Sequence, residues 1–463
     1  MSDSYSNAPE NIAEPHENKM GTMPVKQLII SMSLPMMVSM LVQALYNIVD
    51  SVFVAQISEA ALTAVTLAFP LQNVMIAVGA GTGVGVNALL SRALGEKKFE
   101  RSDAAANTAI VLAFFSFLAF VFIGIFASRP FIMTQTADAE IISYGTTYLS
   151  IVCTFSMGLF FQVTFERLLQ STGLTLFSMI SQIVGAVFNI IFDPILIFGL
   201  LGFPELGVAG AAIATVLGQC LAACIGLTLN LTKNKELHFS FRQIFHPRAK
   251  IIGRIYYVGI PSILMMSIGS LMTYLMNLIL AAFSSTAVAV FGVYFKLQSF
   301  FFMPVFGLNN GCVPVLAYNY GARQPYRIKA ALKFAMQLAF VIMCCGTAIF
   351  EFFPAPLLHM FKASDDMLAM GTIALRIIAI HFPLAAIGIT LGGVFQAFSK
   401  ATYSLIVSLM RQLVVLIPVA WLLARITNDV NAVWWCFPIA EVVSLAVSIF
   451  FYKRIRKGVI DRL

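Results

Sequence analysis

The chain has 463 residues, 59% of them hydrophobic and 11% charged, with a mean hydropathy of +0.88. A soluble domain carries roughly 25% charged residues, so this composition excludes one and places the chain among integral membrane proteins. The net charge of +8 would suit a nucleic-acid partner, but its distribution along the chain excludes that reading.

The first 20 residues are polar and contain proline, and no cleavable signal pattern is visible; residues 1–24 are therefore expected to form a disordered cytoplasmic tail. Twelve apolar spans follow, at 27–55, 60–90, 104–127, 141–165, 173–200, 206–231, 252–283, 287–318, 330–353, 368–393, 401–424 and 432–452. The stretches 104–128, 141–165 and 206–232 contain no Asp, Glu, Lys or Arg, and each exceeds the roughly 20 residues a membrane helix needs. Residues 255–295 are uncharged but too long for one crossing; the FSST segment at 283–286 is expected to divide them.

The connecting segments alternate in charge. One side holds Arg92, Lys97, Lys98 and Arg101, then Arg167, the segment from Lys233 to Lys250, then Arg323, Arg327 and Lys329, then Lys400, and the C-terminal run Lys453 to Lys457. The other side holds little beyond Arg129, Lys362 and Arg425. By the positive-inside rule both termini face the cytoplasm, and the basic balance reports orientation. The seven cysteines lie within apolar runs without metal-type spacing and read as small buried hydrophobes.

The two halves of the chain match at one fixed offset. Pro35 falls on Pro261, 226 positions later. The same offset carries Gln72 onto Gln298, Gly81, Gly85 and Gly95 onto Gly307, Gly311 and Gly321, Arg101 onto Arg327, and Gln170 onto Gln396. Each repeat holds six spans, so both enter the membrane in the same direction. The expected fold is an all-α integral membrane protein: twelve transmembrane helices in two six-helix lobes about a pseudo-twofold axis along the membrane normal. The N-terminal lobe takes 25–231, a cytoplasmic linker 232–250, the C-terminal lobe 251–455, and a basic tail 456–463. This organisation is that of a secondary transporter, with a substrate cleft between the lobes. The GAGTGVG stretch at 79–85 lacks the lysine of a phosphate-binding loop; its glycines read as helix-packing positions.

A carboxylate at the centre of a membrane helix costs about 2.5–3.5 kcal/mol on insertion scales, so such acids mark function. Asp50, Asp193 and Glu441 are the clear cases. In the first span Gln43, Asn47 and Asp50 share one helical face; in the fifth Gln182, Asn189 and Asp193 do the same. In the sixth, Thr215 is the lone hydroxyl of GAAIATVLG. Convergence of these faces would supply a proton site, or an oxygen-ligand site for Na⁺ formed by Asp50, Asn189, Asp193 and Thr215. Pro194 follows Asp193 and, with Pro35, is a candidate hinge. At the repeat offset Asp50 falls on Met276, Asn189 on Val415 and Asp193 on Val419, so the coupling chemistry is expected in the N-terminal lobe. The C-terminal lobe carries Lys296, Arg376, His381, Arg411 and Glu441 instead. Arg411 or Lys296 either pairs with Glu441 or faces the cleft. Gln43, Asn47, Gln182, Lys296, Arg411 and Glu441 are the substrate-cleft candidates, whereas His381 reads as a packing residue and Arg376 as one that snorkels to an interface.

With these residues in view, the chain resembles the multidrug and toxic compound extrusion (MATE) family of cation-coupled antiporters, over about 25–455. The segments that carry the resemblance are VDSVFVAQ at 49–56, FNIIFDPILIFG at 188–199, GVAGAAIATV at 207–216 and FGLNNGCVPVLAYNYGAR at 306–323; the last is most like the bacterial MepA-like branch. The resemblance implies a cation site at Asp50, Asn189 and Asp193, with Thr215 alongside. It also implies coupling through the first span near Pro35, and amphipathic cationic drugs as cargo. The expected function is export of small organic molecules in exchange for protons or Na⁺, by a chain acting as a monomer in the bilayer. A basic C-terminal interior would instead suit an anionic or zwitterionic metabolite, and a related activity is flipping of a lipid-linked saccharide. No nucleophile–base spacing supports an enzyme, and no cofactor beyond the coupling ion is expected.

Overall fold

The computed structural model describes residues 18–463 apart from Lys362, with Phe241 defined in its backbone only. The expected tail over 1–17, and Lys362 on the opposite side, lie outside the described residues. Among those described there are helices and no strands. Ten helices are long and apolar enough to cross a membrane, and two further bent pairs bring the number of spans to twelve.

The N-terminal lobe consists of α1 (Val25–Ala55), α2 (Glu59–Gly95), α3 (Phe99–Phe126), the bent pair α4 (Ala139–Thr154 and Met157–Ser171), α5 (Thr175–Phe198) and α6 (Val208–Lys233). The C-terminal lobe consists of α7 (Ala249–Ala281), α8 (Ser285–Gly321), α9 (Pro325–Phe352), the bent pair α10 (Asp365–Ala379 and Phe382–Ala397), α11 (Ala401–Thr427) and α12 (Cys436–Gly458). The uncharged run over 255–295 is divided after Ala281, with Ser284 capping the next helix.

The offset of 226 seen in the sequence governs the backbone. Helix α2 maps onto α8 and α3 onto α9, end for end. Ser58 and Ser284 each accept a hydrogen bond from the backbone N–H three residues on, capping α2 and α8 alike. The left-handed residues Lys97 and Arg323 repeat, as do Gly173 and Ser399. The fourth and tenth spans, read from hydropathy as ordinary crossings, are both broken at this offset, by 46° and 47°.

The lobes meet where the basic connections lie. There α2 packs on α7, α1 on α8, and α2 on α8. Small residues allow the approach: a Cβ on Gly95 would collide with the backbone carbonyl oxygen of Tyr318, and one on Gly321 with that of Arg92. Gly85 lies equally close to the Ile255 carbonyl, so the packing role of these glycines holds. The cross-lobe hydrogen bond nearest the other end joins Asn73 Nδ2 to Ser270 Oγ at 3.0 Å.

Two expectations change, at the N-terminal tail and at the cysteines. Residues 18–24 are not a disordered tail: Asn18 caps a short helix, Lys19–Thr22, and Met20 is fully buried. The linker runs from the end of α6 through a short helix, Phe241–Phe245, and is tied to α3 by Asn107 and by Arg248 on Glu100 at 2.7 Å. Cys224 and Cys345 lie on exposed helix faces, unlike the buried Cys153, Cys312 and Cys436.

Candidate functional site

Helices α1, α5 and α6 bring the predicted N-terminal cluster together. Gly185 on α5 and Gly218 on α6 meet with a Cβ-free gap, where a side chain on either would press on the other's carbonyl oxygen. That close crossing sets Asn189 against α6, and its Nδ2 donates to Thr215 Oγ1 at 3.3 Å. On α1, Gln43 accepts from Gln182 Nε2 at 3.4 Å. One helical turn from Asn189, Asp193 is fully buried, and its carboxyl lies within hydrogen-bonding reach of the half-buried Asp50. No donor among the described residues reaches either oxygen of Asp193, Oδ1 of Asp50 or Oδ1 of Asn189. Buried oxygens without donors are costly, so their convergence at one point is a chemical feature of the site.

Two predicted positions behave differently. Asn47 shares the α1 face on helical spacing, yet it is exposed and takes no part in the cluster. Tyr46, not singled out in the sequence, does: its hydroxyl meets Thr215 Oγ1 at 3.3 Å. The signal for it was present, since Tyr46 lies four residues before Asp50 on the same face. Tyr148 on α4 is also buried nearby, with its hydroxyl 3.5 Å from Gln72 Oε1. A further acid was missed. The fourth span continues to Ser171, which buries Glu166, and Gln162 donates to it at 2.9 Å.

The hinge candidates lie on unbroken helix in this conformation. Pro35 and Pro194 both lie inside continuous helices, and neither opens the backbone. Pro194 removes an N–H from the ladder, but Asp193 stands on intact helix. The large bends fall in α4 and α10 instead.

In the C-terminal lobe the open choice over Arg411 resolves to pairing: Nη1 lies 3.7 Å from Glu441 Oε2. Arg411 sits in a π-helical stretch, Met410–Leu416, which widens α11 there. Glu441 is 3% exposed and Arg411 27% at the side chain. The two partners are therefore unequal. Glu441→Gln leaves a partly exposed arginine, whereas Arg411→Gln strands a buried carboxylate. Arg411→Gln is expected to lower the melting temperature in detergent by clearly more than Glu441→Gln. Lys296 is exposed and forms no ion pair among the described residues. Arg376 is exposed and donates to the Glu351 carbonyl at 3.2 Å. His381 is buried, bonds the Ile378 carbonyl through Nδ1 and stacks on Phe437, as a packing residue does. Among the described residues, no cluster of three His, Cys, Asp or Glu side chains could hold a metal ion.

Comparison with known proteins agrees with this architecture. A sequence model of the MatE family matches residues 35–195 and 261–422, one match in each lobe. The chain is 28% identical over 428 residues to the multidrug export protein MepA of Staphylococcus haemolyticus (strain JCSC1435), covering 92% of each chain. It is 26% identical over 435 residues to MepA of Staphylococcus aureus (strain MSSA476), covering 93% of this chain and 94% of that one. Among solved structures it is similar to an outward-facing multidrug resistance MATE family transporter of the MOP superfamily. That similarity has a TM-score of 0.89 and 25% identity, over 97% of this chain and 99% of the other. A MOP superfamily transporter from Pyrococcus furiosus, described as having a binding pocket of reverse polarity that suggests a different function, gives 0.88 and 25% over 96% and 99%.

Proposed function

The chain belongs to the MatE family of multi-pass membrane transporters, and from that premise we propose that it exports amphipathic, cationic small molecules in exchange for a proton loaded on Asp50 and Asp193. The observation that carries this reading is the meeting of the two carboxyl groups inside the N-terminal lobe. Two carboxylate oxygens at that range repel unless a proton lies between them. Loading the proton closes the pair, and losing it drives the two helices apart. Such a device moves α1 relative to α5 at the cost of one ion. Asn189, Thr215 and Tyr46 hold the surrounding hydrogen bonds and fix the geometry on which the pair acts.

A second reading is Na⁺ coupling. The donor-free oxygens of Asp50, Asp193 and Asn189, with the Thr215 hydroxyl beside them, are the hard ligands Na⁺ takes, and as the transported ion it would bind there in place of the proton. For the cargo, pairing of Arg411 with Glu441 cancels one of the charges that made the C-terminal interior look basic. This supports a cationic over an anionic or lipid-linked substrate. The MepA relatives are named as multidrug exporters, which agrees. Orientation with both termini in the cytoplasm follows from the placement of the basic connections.

Efflux of a fluorescent cationic dye from proteoliposomes, with the proton and Na⁺ gradients imposed separately, tests the reading. Efflux driven by the proton gradient alone is the expected outcome. Efflux only with Na⁺ replaces it with the second reading, and no efflux under either gradient overturns both.

A further inference from the structure

At the basic end of the molecule a cavity of about 370 Å³ lies between the lobes, lined by Arg92, Arg101 and Arg254 together with Tyr257 and Ser399. Its charge is unbalanced. Glu96 alone serves Arg92 at 2.8 Å, Lys98 at 2.8 Å and Arg101 at 3.3 Å. Its carboxyl is held ionised: partial burial pushes its pKa up, but hydrogen bonds from Lys98 and Arg92 outweigh this and leave it below its ordinary value. Arg254 has no carboxylate partner among the described residues, and the buried Nε of Arg101 has no acceptor.

The internal repeat provides a control. Shifting the cavity-lining positions by 226 gives Tyr318 for Arg92, Arg327 for Arg101, Ser31 for Tyr257 and Gly173 for Ser399. At that second junction the space is filled by residues 18–23. Gly21 abuts Tyr318, Lys19 lies against Gly173, and Met23 meets the Ser31 hydroxyl. Arg327 donates to the Met20 carbonyl at 3.1 Å and the Met23 carbonyl at 2.7 Å. The guanidinium there is satisfied by oxygen atoms of the chain itself. At the first junction the segment at this offset, 244–249, is not among the residues lining the cavity; the helix Phe241–Phe245 packs on α3, and Arg248 pairs with Glu100 there. Of the three arginines of the first junction only Arg101 has an arginine counterpart, Arg92 and Arg254 standing where the second has Tyr318 and Leu28, and Arg101 has no chain carbonyls corresponding to those that Arg327 meets.

We propose that this cavity binds a phosphate-type oxyanion that bridges the two lobes through Arg92 and Arg101 on one side and Arg254 on the other. Arginine's planar fork of donors matches such oxygens. The level in the membrane is that of headgroups: α2, at 37 residues, is about 55 Å long at 1.5 Å per residue, well beyond a hydrocarbon core of about 30 Å. The exposed Tyr257 at the mouth is a residue type found at that boundary. A bound anion neutralises the arginines of both lobes at once, and so favours the arrangement in which their basic ends are together. The same oxygens can come from an anionic lipid headgroup or from free phosphate.

Thermal unfolding of the full chain in nanodiscs distinguishes these sources. Phosphatidylglycerol nanodiscs are compared with phosphatidylcholine nanodiscs, the latter with and without inorganic phosphate. A higher melting temperature in phosphatidylglycerol, lost in the Arg101→Gln/Arg254→Gln variant, supports a lipid ligand. A rise with phosphate in phosphatidylcholine, lost in the same variant, supports a free anion. A control variant, Lys235→Gln/Arg242→Gln, removes equal charge from the linker on the same face and should respond as wild type. No rise in either arm overturns the proposal. So does a rise that persists in the cavity variant, or one that the linker variant loses equally.

Discussion

Asp193→Asn and Asp50→Asn are each expected to reduce gradient-driven efflux in proteoliposomes to the background of empty vesicles. Neither should lower the melting temperature. Asp193 is fully buried with no donor at either oxygen, and a charge so placed is a cost to folding. An uncharged amide of the same shape relieves that cost, so stability should hold or rise while transport stops. This separation is the diagnostic part of the result. A residue needed only for packing loses stability and transport together; a proton-carrying residue loses transport alone. Wild-type efflux in both variants would remove the acid pair from the coupling step.

The second large effect is expected at the lobe junction. Gly95→Ala places a methyl group against the Tyr318 carbonyl, and Gly321→Ala places one against the Arg92 carbonyl. Backbone atoms cannot swing aside as a side-chain tip can, so the strain falls on the contact between lobes. Overpacking of this kind costs about 1–3 kcal/mol, which corresponds to a shift of roughly 5–150-fold in a two-state equilibrium. Spin labels on the exposed Lys98 and Lys400, one in each lobe, should report a longer distance in the double variant. An unchanged distance distribution would mean that the two glycines are not what holds the basic ends together.

The large features of the fold were legible in the sequence for a simple reason. Burial in lipid requires apolar runs, and a duplicated backbone leaves duplicated glycines and prolines. The 226-residue offset located Gly95 and Gly321 before any contact was known. Polar side chains inside the spans were legible on the same ground, because Asp50, Asn189 and Asp193 stand out against hydrocarbon. What failed depended on contacts between helices. Spacing placed Asn47 on the right face of α1, but only the crossing of α1 with α5 and α6 decides that Tyr46, not Asn47, reaches Thr215. Glu166 was lost because charge was taken to end a span, whereas Gln162 one turn earlier supplies the donor that lets the helix carry it inward. Pro194 lies inside unbroken helix, since a proline changes helix geometry only as far as its neighbours allow. The polar segment 18–24 looked unstructured because its order comes from Asn319 and Arg327, some 300 residues away.

One lobe carries an acid pair, and the other has Met276 and Val419 at the matching positions. This asymmetry sets an energetic ceiling. Under the proposed exchange of one proton for one cationic molecule no net charge crosses the membrane, so the drive is the proton's own concentration difference, about tenfold in cargo ratio per pH unit. A second acid pair in the other half, admitting two protons per cycle, would square that ratio and add one charge's worth of the membrane potential, about 2.3 kcal/mol per 100 mV. In the proposed mechanism the methionine and valine hold this chain to one ion per cycle.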